Sequence, residues 1–248
     1  MATTGENVYP YRMKDLLYLD RHLLVIAKDP GDAVESARKG ASTVVQWWRN
    51  TLDDRRIQPI HRIDQPVGGI VVLGRTKEAI ASLNEQFSLG TVERNYVAVV
   101  TTPPDPPAGV LEDRVLQDPT GNRSRIVAGS GEESGGPAES ERGRVARLTY
   151  TTVGNTTHHT VLEVTLHTGR HHQIRVQLAH RGWHILGDTR YGARRPMKDK
   201  SIGLWARRIS FVHPFTGERL TLYAPAPNGS VWNVVVDLPL SGFPGGKE

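Results

Sequence analysis

The chain has 248 residues and no cysteine, with 38% hydrophobic and 23% charged residues, a composition that supports one large or two small folded domains and excludes disulfide frameworks and thiolate metal sites. Lysine and arginine total 31 against 26 aspartate and glutamate, a formal charge of +5 that leans toward a polyanionic partner. Residues Met1 to Asn7 lack a basic region followed by an apolar core, and no apolar run approaches the roughly 20 residues of a membrane span, so the expectation is a soluble, cytoplasmic protein with no membrane partner.

In chain order, Leu16 to His22 reads as a turn leading into the buried strand Leu23 to Lys28, which Asp29-Pro30-Gly31 stops. Ser42 or Thr43 can cap a short helix through Trp47 and Trp48. After His61-Arg62-Ile63-Asp64-Gln65-Pro66-Val67-Gly68-Gly69, the apolar run 70–73 is a strand. Thr76 to Phe87 then carries apolar residues at 79, 80, 83 and 87, a helical spacing with Thr76 as its cap. Val92 to Val100 reads as a strand, and Arg147 to Val153 with Thr160 to His167 as a strand pair. Between them, Pro103 to Pro107 and Gly129 to Pro137 cannot pack a core, and a flexible surface loop is expected at about 129–142. Within this section Asn122-Arg123-Ser124-Arg125-Ile126 is a basic patch, read as solvated. Many strands and few helices predict an α+β fold with a mixed, largely antiparallel sheet flanked by helices and loops.

Three side chains draw attention as chemistry. Asp64, between basic neighbours and a proline-glycine turn, is expected to be ionised and can act as a nucleophile or an electrostatic anchor; it can equally be an ordinary turn aspartate. Tyr96 on the strand 92–100 offers a ring to stack on a base, or is simply a core aromatic. If 171–181 is a helix, Ile174 and Leu178 pack inward while Arg175 lies on a flank, with an anionic partner or a surface salt bridge. Histidines at 158, 159, 167, 171, 172, 180 and 184 invite a metal reading, which the lack of a ligand motif disfavours; His171 and His172, adjacent on a helix, would diverge.

Four stretches in register carry a resemblance: His61-Arg62-Ile63-Asp64, Arg94 to Val100, Gly169-Arg170-His171-His172-Gln173-Ile174-Arg175-Val176, and Ile185 to Gly192, followed by Leu204 to Glu218. Together they resemble the RluA-type RNA pseudouridine synthases over residues 16–227, which implies a catalytic domain there, with extensions at 1–15 and 228–248. The resemblance implies isomerisation of uridine in ribosomal or transfer RNA to pseudouridine, without metal or cofactor. It implies Asp64 as the catalytic carboxylate, attacking the anomeric carbon or assisting elimination to a glycal. Tyr96 would stack on the base, Arg175 would pair with Asp64, and Arg62, His61, Ile174, Arg170 and Gln173 would contact substrate. Two departures stand out. Val67-Gly68-Gly69 occupies the place of a Thr-Ser-Gly turn, and His171 that of a threonine or serine. Relatives often carry a small N-terminal RNA-binding domain, whereas some fifteen residues precede the likeness here. The competing reading is an RNA-binding or RNA-folding protein on the same domain with little or no isomerase activity; a histidine-based metal hydrolase is a third.

Overall fold

The computed structural model describes residues 15–36, 42–120, 123–127, 142–235, 238 and 240. Its elements run β1 (Leu16–Leu19), β2 (Leu23–Lys28), α1 (Val44–Thr51), β3 (Gln58–Pro59), β4 (Gly68–Gly74), α2 (Lys77–Leu89), β5 (Glu93–Val100), β6 (Ala108–Gln117), β7 (Ser124–Val127), β8 (Arg144–Asn155), β9 (Thr160–Leu166), α3 (Gln173–His180), β10 (Leu204–Val212), β11 (Arg219–Tyr223) and α4 (Ser230–Val235). One sheet of eleven strands runs β1-β2-β4-β10-β5-β9-β8-β6-β7, with β3 added to β4 and β11 to β10. Only β4 and β10 pair in parallel among the described strands; every other pair is antiparallel. The α+β expectation is therefore met.

The alternation of side chains along each strand sorts the core onto two faces. Leu24 and Ile26 of β2, Tyr96, Ala98 and Val100 of β5, and Leu162 and Val164 of β9 join Val44, Val45 and Trp48 of α1 and Ile174 and Leu178 of α3 in one apolar cluster. Their neighbours turn the other way. Leu23 and Val25 pack with Ala79 and Leu83 of α2, and Val97 and Val99 pack with Trp205 and with Trp232 of α4. The predicted extension 228–248 thus includes residues that cover the back of the sheet; most of it, like Met1 to Lys14, Asn122 and 129–141 of the expected loop, lies outside the described residues. Both predicted caps form: Thr43 accepts the Gln46 N–H and Thr76 the Ala79 N–H, each satisfying an amide that the first helical turn leaves open.

Two elements differ from expectation. Leu16 to His22 contains a strand of its own, because the Asp20 carboxylate accepts the His22 and Leu23 amides and folds the chain back into a hairpin with β2. Between the two proline- and glycine-rich stretches lies the ten-residue strand β6, paired with β8 over eight positions. Only Leu111 and Val115 of β6 are buried, so its strand character comes from cross-strand pairing and leaves little hydrophobic trace.

Candidate active site

Asp64 sits in the loop between β3 and β4, where the Val67 N–H bonds back to its carbonyl at 3.0 Å. The loop ends on two glycines that open β4 and let the backbone there press against its neighbours. A Cβ on Gly69, whose φ is +124°, would lie 2.2 Å from the Ala206 carbonyl oxygen of β10, and one on Gly68 would meet the rings of Pro30 and Pro227 at 3.0–3.2 Å. The hydroxyl-free Val67-Gly68-Gly69 turn thus fits tightly packed surroundings: Val67 is itself in the core, and Gly68 leaves the space that the two prolines fill. From behind, the buried Lys28 ammonium donates to the carbonyls of Asp29 and Asp32 at 2.9 Å and of Gln65 at 3.2 Å, tying the end of β2 to the Asp64 loop.

The cation that faces Asp64 arrives from 111 residues away. Arg175 Nη1 donates to Asp64 Oδ2 at 2.8 Å, while Nε and Nη2 of the same guanidinium grip both oxygens of Asp188 at 2.7 and 2.8 Å. Arg175 is 4% exposed, Asp188 1% and Asp64 24%, so the pair with Asp188 is buried and Asp64 is the end that meets the outside. Burial alone would lower the Arg175 pKa, but the bonds and charge of Asp188, together with Asp64, raise it above the ordinary arginine value. Arg175 was expected on a helix flank; it is instead enclosed, because two carboxylates satisfy its fork. Its guanidinium also lies 5.0 Å from the ring centroid of Tyr191.

The residues before α3 build the other half of the site. The helix begins at Gln173, two residues later than predicted, and His172 takes a left-handed φ of +53° before it. This turn overrides helical divergence: the rings of His171 and His172 stack with centroids 3.7 Å apart. His172 Nδ1 lies 2.9 Å from the Tyr191 hydroxyl, whose oxygen accepts the Ser124 N–H at 2.7 Å. Burial, helped by Arg175, His171 and Arg190 and opposed by Asp64, brings the His172 pKa down to about 3, so the ring is neutral. Ser124 is buried, while Arg123 and Arg125 of the same predicted basic patch are exposed.

The remaining predicted contacts divide. Gln173 spends its amide within the protein: Oε1 accepts from the Arg170 N–H and the Thr168 hydroxyl, and Nε2 donates to the Arg147 carbonyl. It shapes the loop that presents Arg170. His61 accepts the Val72 N–H through Nε2 at 3.1 Å and stacks on Phe87; burial and the nearby Arg94 bring its pKa to about 3. His61 is therefore a neutral ring, and the positive flank of Asp64 comes from Arg175 and exposed Arg62. Tyr96 is 8% exposed; burial raises its pKa, Arg94 opposes and Asp64 adds, so it is a neutral phenol. Ile174 is buried in the same cluster.

All eight predicted residues line one cleft of about 2640 Å³. That is well above the roughly 300–1,000 Å³ of a small-molecule pocket, and Arg62, Arg114, Arg142, Arg144, Arg170 and Arg190 give its walls positive charge suited to a polyanion. Asp188, Tyr191, His172 and Ser124 were not singled out from sequence as site residues. Their signal was position within stretches already noted: Asp188 and Tyr191 in Ile185 to Gly192, His172 in Gly169 to Val176, and Ser124 in the basic patch 122–126. Among the described residues no three His, Cys, Asp or Glu are grouped to hold a metal ion, and no helix is long and apolar enough to cross a membrane.

The model of a protein family described as RNA pseudouridylate synthase matches residues 22–180, which include Asp64, Tyr96 and Arg175. The chain belongs to that family. As an RNA pseudouridine synthase it is an isomerase that acts on uridine within RNA. It is 29% identical over 221 residues to ribosomal large subunit pseudouridine synthase C of Buchnera aphidicola, covering 86% of this chain and 67% of the relative. To the enzyme of the same name from Pasteurella multocida it is 31% identical, covering 86% of this chain and 64% of the relative. The synthase thus spans about two thirds of the length of these relatives. The human RNA pseudouridylate synthase domain containing 4 shares its fold, with a TM-score of 0.69 at 23% identity over 87% of this chain and 90% of that one.

Proposed function

We propose that the synthase uses Asp64 to isomerise a uridine of ribosomal RNA in the cytoplasm. The observation that carries the reading is the Asp64 carboxylate held at 2.8 Å by an arginine whose other face is locked onto buried Asp188, in a cleft that also holds Tyr96. An aspartate anchored in this way keeps one orientation, as attack on the ribose anomeric carbon or assistance to its elimination requires. In either route the uracil leaves through N1 with the electron pair of the glycosidic bond. The base then turns over, carbon 5 bonds to the anomeric carbon, the proton on carbon 5 passes to solvent and N1 takes one up; on the elimination route the proton removed from ribose carbon 2 is also returned, so that reactant and product are isomers. The base must first leave its helix, which costs a few kcal/mol, and stacking on Tyr96 returns about 1–3 kcal/mol. Arg62, exposed beside Asp64, suits the space left by the base or a phosphate, and Arg170 suits a phosphate. Ile174 walls the pocket, while Gln173 and His61 act from behind by holding Arg170 and the Phe87 side. Ribosomal RNA is favoured over transfer RNA because the two named relatives are ribosomal large subunit enzymes.

The test uses RNA tritiated at uridine carbon 5. Tritium release from ribosomal RNA by the wild-type protein, and none by Asp64→Asn with RNA affinity retained, is the expected outcome. Release from transfer RNA alone would refute the substrate, and turnover by Asp64→Asn would refute the residue. Binding without release from any cellular RNA would favour a pure RNA-binding role for this chain.

A further inference from the structure

Behind Asp64 runs a chain of hydrogen bonds that this reading of the carboxylate does not use. The Tyr191 oxygen accepts the Ser124 N–H at 2.7 Å and stands 2.9 Å from His172 Nδ1. A phenol has one proton to donate, and at this buried position Nδ1 is its acceptor among the described residues. The opposite arrangement, with Nδ1–H donating to the phenol, would leave a buried hydroxyl proton with no acceptor, a cost neighbouring groups do not offset. His172 Nδ1 therefore accepts, and the ring proton sits on Nε2. The stacked His171 has the opposite form: the Ser124 hydroxyl donates to the His171 carbonyl at 2.8 Å and so receives a proton from His171 Nδ1 at 3.0 Å.

His172 Nε2 lies 3.6 Å from Asp64 Oδ2, the same oxygen that Arg175 Nη1 holds at 2.8 Å. No described residue donates to Oδ1. We infer that His172, fixed by Tyr191 as its Nε2–H tautomer, is a positioning residue for the isomerisation: with Arg175 it secures Oδ2 and leaves Oδ1 as the oxygen that meets the ribose, resting on Asp64 as the catalytic carboxylate. At 3.6 Å the contact is longer than a hydrogen bond, and such donors tighten onto their acceptor when substrate fills the site. The groups that face the imidazole are Asp64 from the β3–β4 loop, Arg175 of α3, His171, and Arg190 and Tyr191 of the Thr189–Tyr191 turn. Burial, with two arginines and a second imidazole beside it, keeps the ring neutral against the pull of Asp64, so its Nε2–H faces the carboxylate without surrendering the proton.

Nitrogen-15 spectra of the full chain labelled at histidine read the tautomer directly, with His172 assigned by its loss in His172→Gln. The expected result at neutral pH is a protonated Nε2 and a bare Nδ1; a protonated Nδ1 or an imidazolium overturns the assignment. In single-turnover tritium release, His172→Gln places an amide N–H where Nε2 stood and keeps most of the rate. His172→Leu is expected to lose about 10- to 100-fold in rate with RNA affinity unchanged, the effect of one donor to a charged group. Equal losses in the two variants, or a loss of affinity in place of rate, would also overturn it. Tyr191→Phe is expected to mix the tautomers of His172 and lower the rate; a wild-type spectrum and rate would sink the role given to Tyr191. Because Asp64→Asn is assayed alongside, an active Asp64→Asn removes the underlying reading, whereas an inactive one with the wrong tautomer removes only this role of His172.

Discussion

Asp188 is the hidden support of the site, and Asp188→Asn isolates what it contributes. In the native protein the carboxylate accepts two guanidinium N–H groups of Arg175 at 2.7 and 2.8 Å, with Asp188 1% and Arg175 4% exposed. Asparagine keeps the shape but offers one acceptor oxygen, and its NH2 group then faces an N–H. Removing one member of a buried ion pair costs about 3–5 kcal/mol, and because Asp64 still holds Nη1 the lower end applies. For a chain of this size, each kcal/mol moves the melting temperature by roughly 2–4 °C, so a fall of about 6–12 °C is expected in calorimetry. The activity consequence is separate. Arg175, no longer gripped on its far side, ceases to fix Asp64, and the loss of one oriented charge-assisted bond of about 1.5–3 kcal/mol lowers kcat roughly 10- to 100-fold. Tritium release at saturating RNA measures that fall, and filter binding checks that affinity is kept. A melting temperature within a degree or two of wild type would refute the energetic reasoning. Loss of RNA affinity in place of kcat would refute the idea that Asp188 acts by way of Asp64.

Three further outcomes follow from the same geometry. His61→Gln keeps an acceptor for the Val72 N–H but removes a ring held neutral at a pKa of about 3 against 6.5 in the unfolded chain. Between those pH values the unfolded state binds the extra proton, so wild-type stability falls as pH falls from 6.5 toward 3; the variant should lose about one proton, or 1.4 kcal/mol per pH unit, from that slope in urea titrations, and an unchanged slope would contradict the buried neutral ring. Lys28→Met removes three hydrogen bonds to the carbonyls of Asp29, Asp32 and Gln65 and should cost about 2–4 kcal/mol while lowering kcat through the Asp64 loop; full stability in urea would show that those carbonyls find other partners. Tyr96→Phe keeps the ring surface and loses the hydroxyl. A rate within a few-fold of wild type leaves stacking as its contribution, while a large fall in kcat at unchanged affinity gives the hydroxyl a chemical part.

Strand and helix were legible where burial leaves a pattern, as in the continuous apolar run opening at Leu23, buried at every position through Lys28, or the 79, 80, 83, 87 spacing of α2, and where a side chain caps a helix locally, as Thr43 and Thr76 do. They were not legible in β6, whose two buried residues are four apart and whose partner β8 begins 27 residues beyond its end. The same division runs through the site. Asp64, Tyr96 and Arg175 carry enough local pattern to be named, yet what organises them is non-local. Arg175 was placed on a flank because helical periodicity assigns an arginine to the polar side. A buried arginine obeys a different condition, which is that every N–H finds an acceptor. Asp188 meets that condition from the loop beyond α3, and the sequence marks it with no period. His171 and His172 show the converse. A helix pattern assigns directions only to residues inside the helix, and a left-handed φ at His172 puts both rings before it, where they stack. A single backbone turn thus converts two histidines that would point apart into a stacked pair against Asp64, and brings the second within 3.6 Å of the carboxylate.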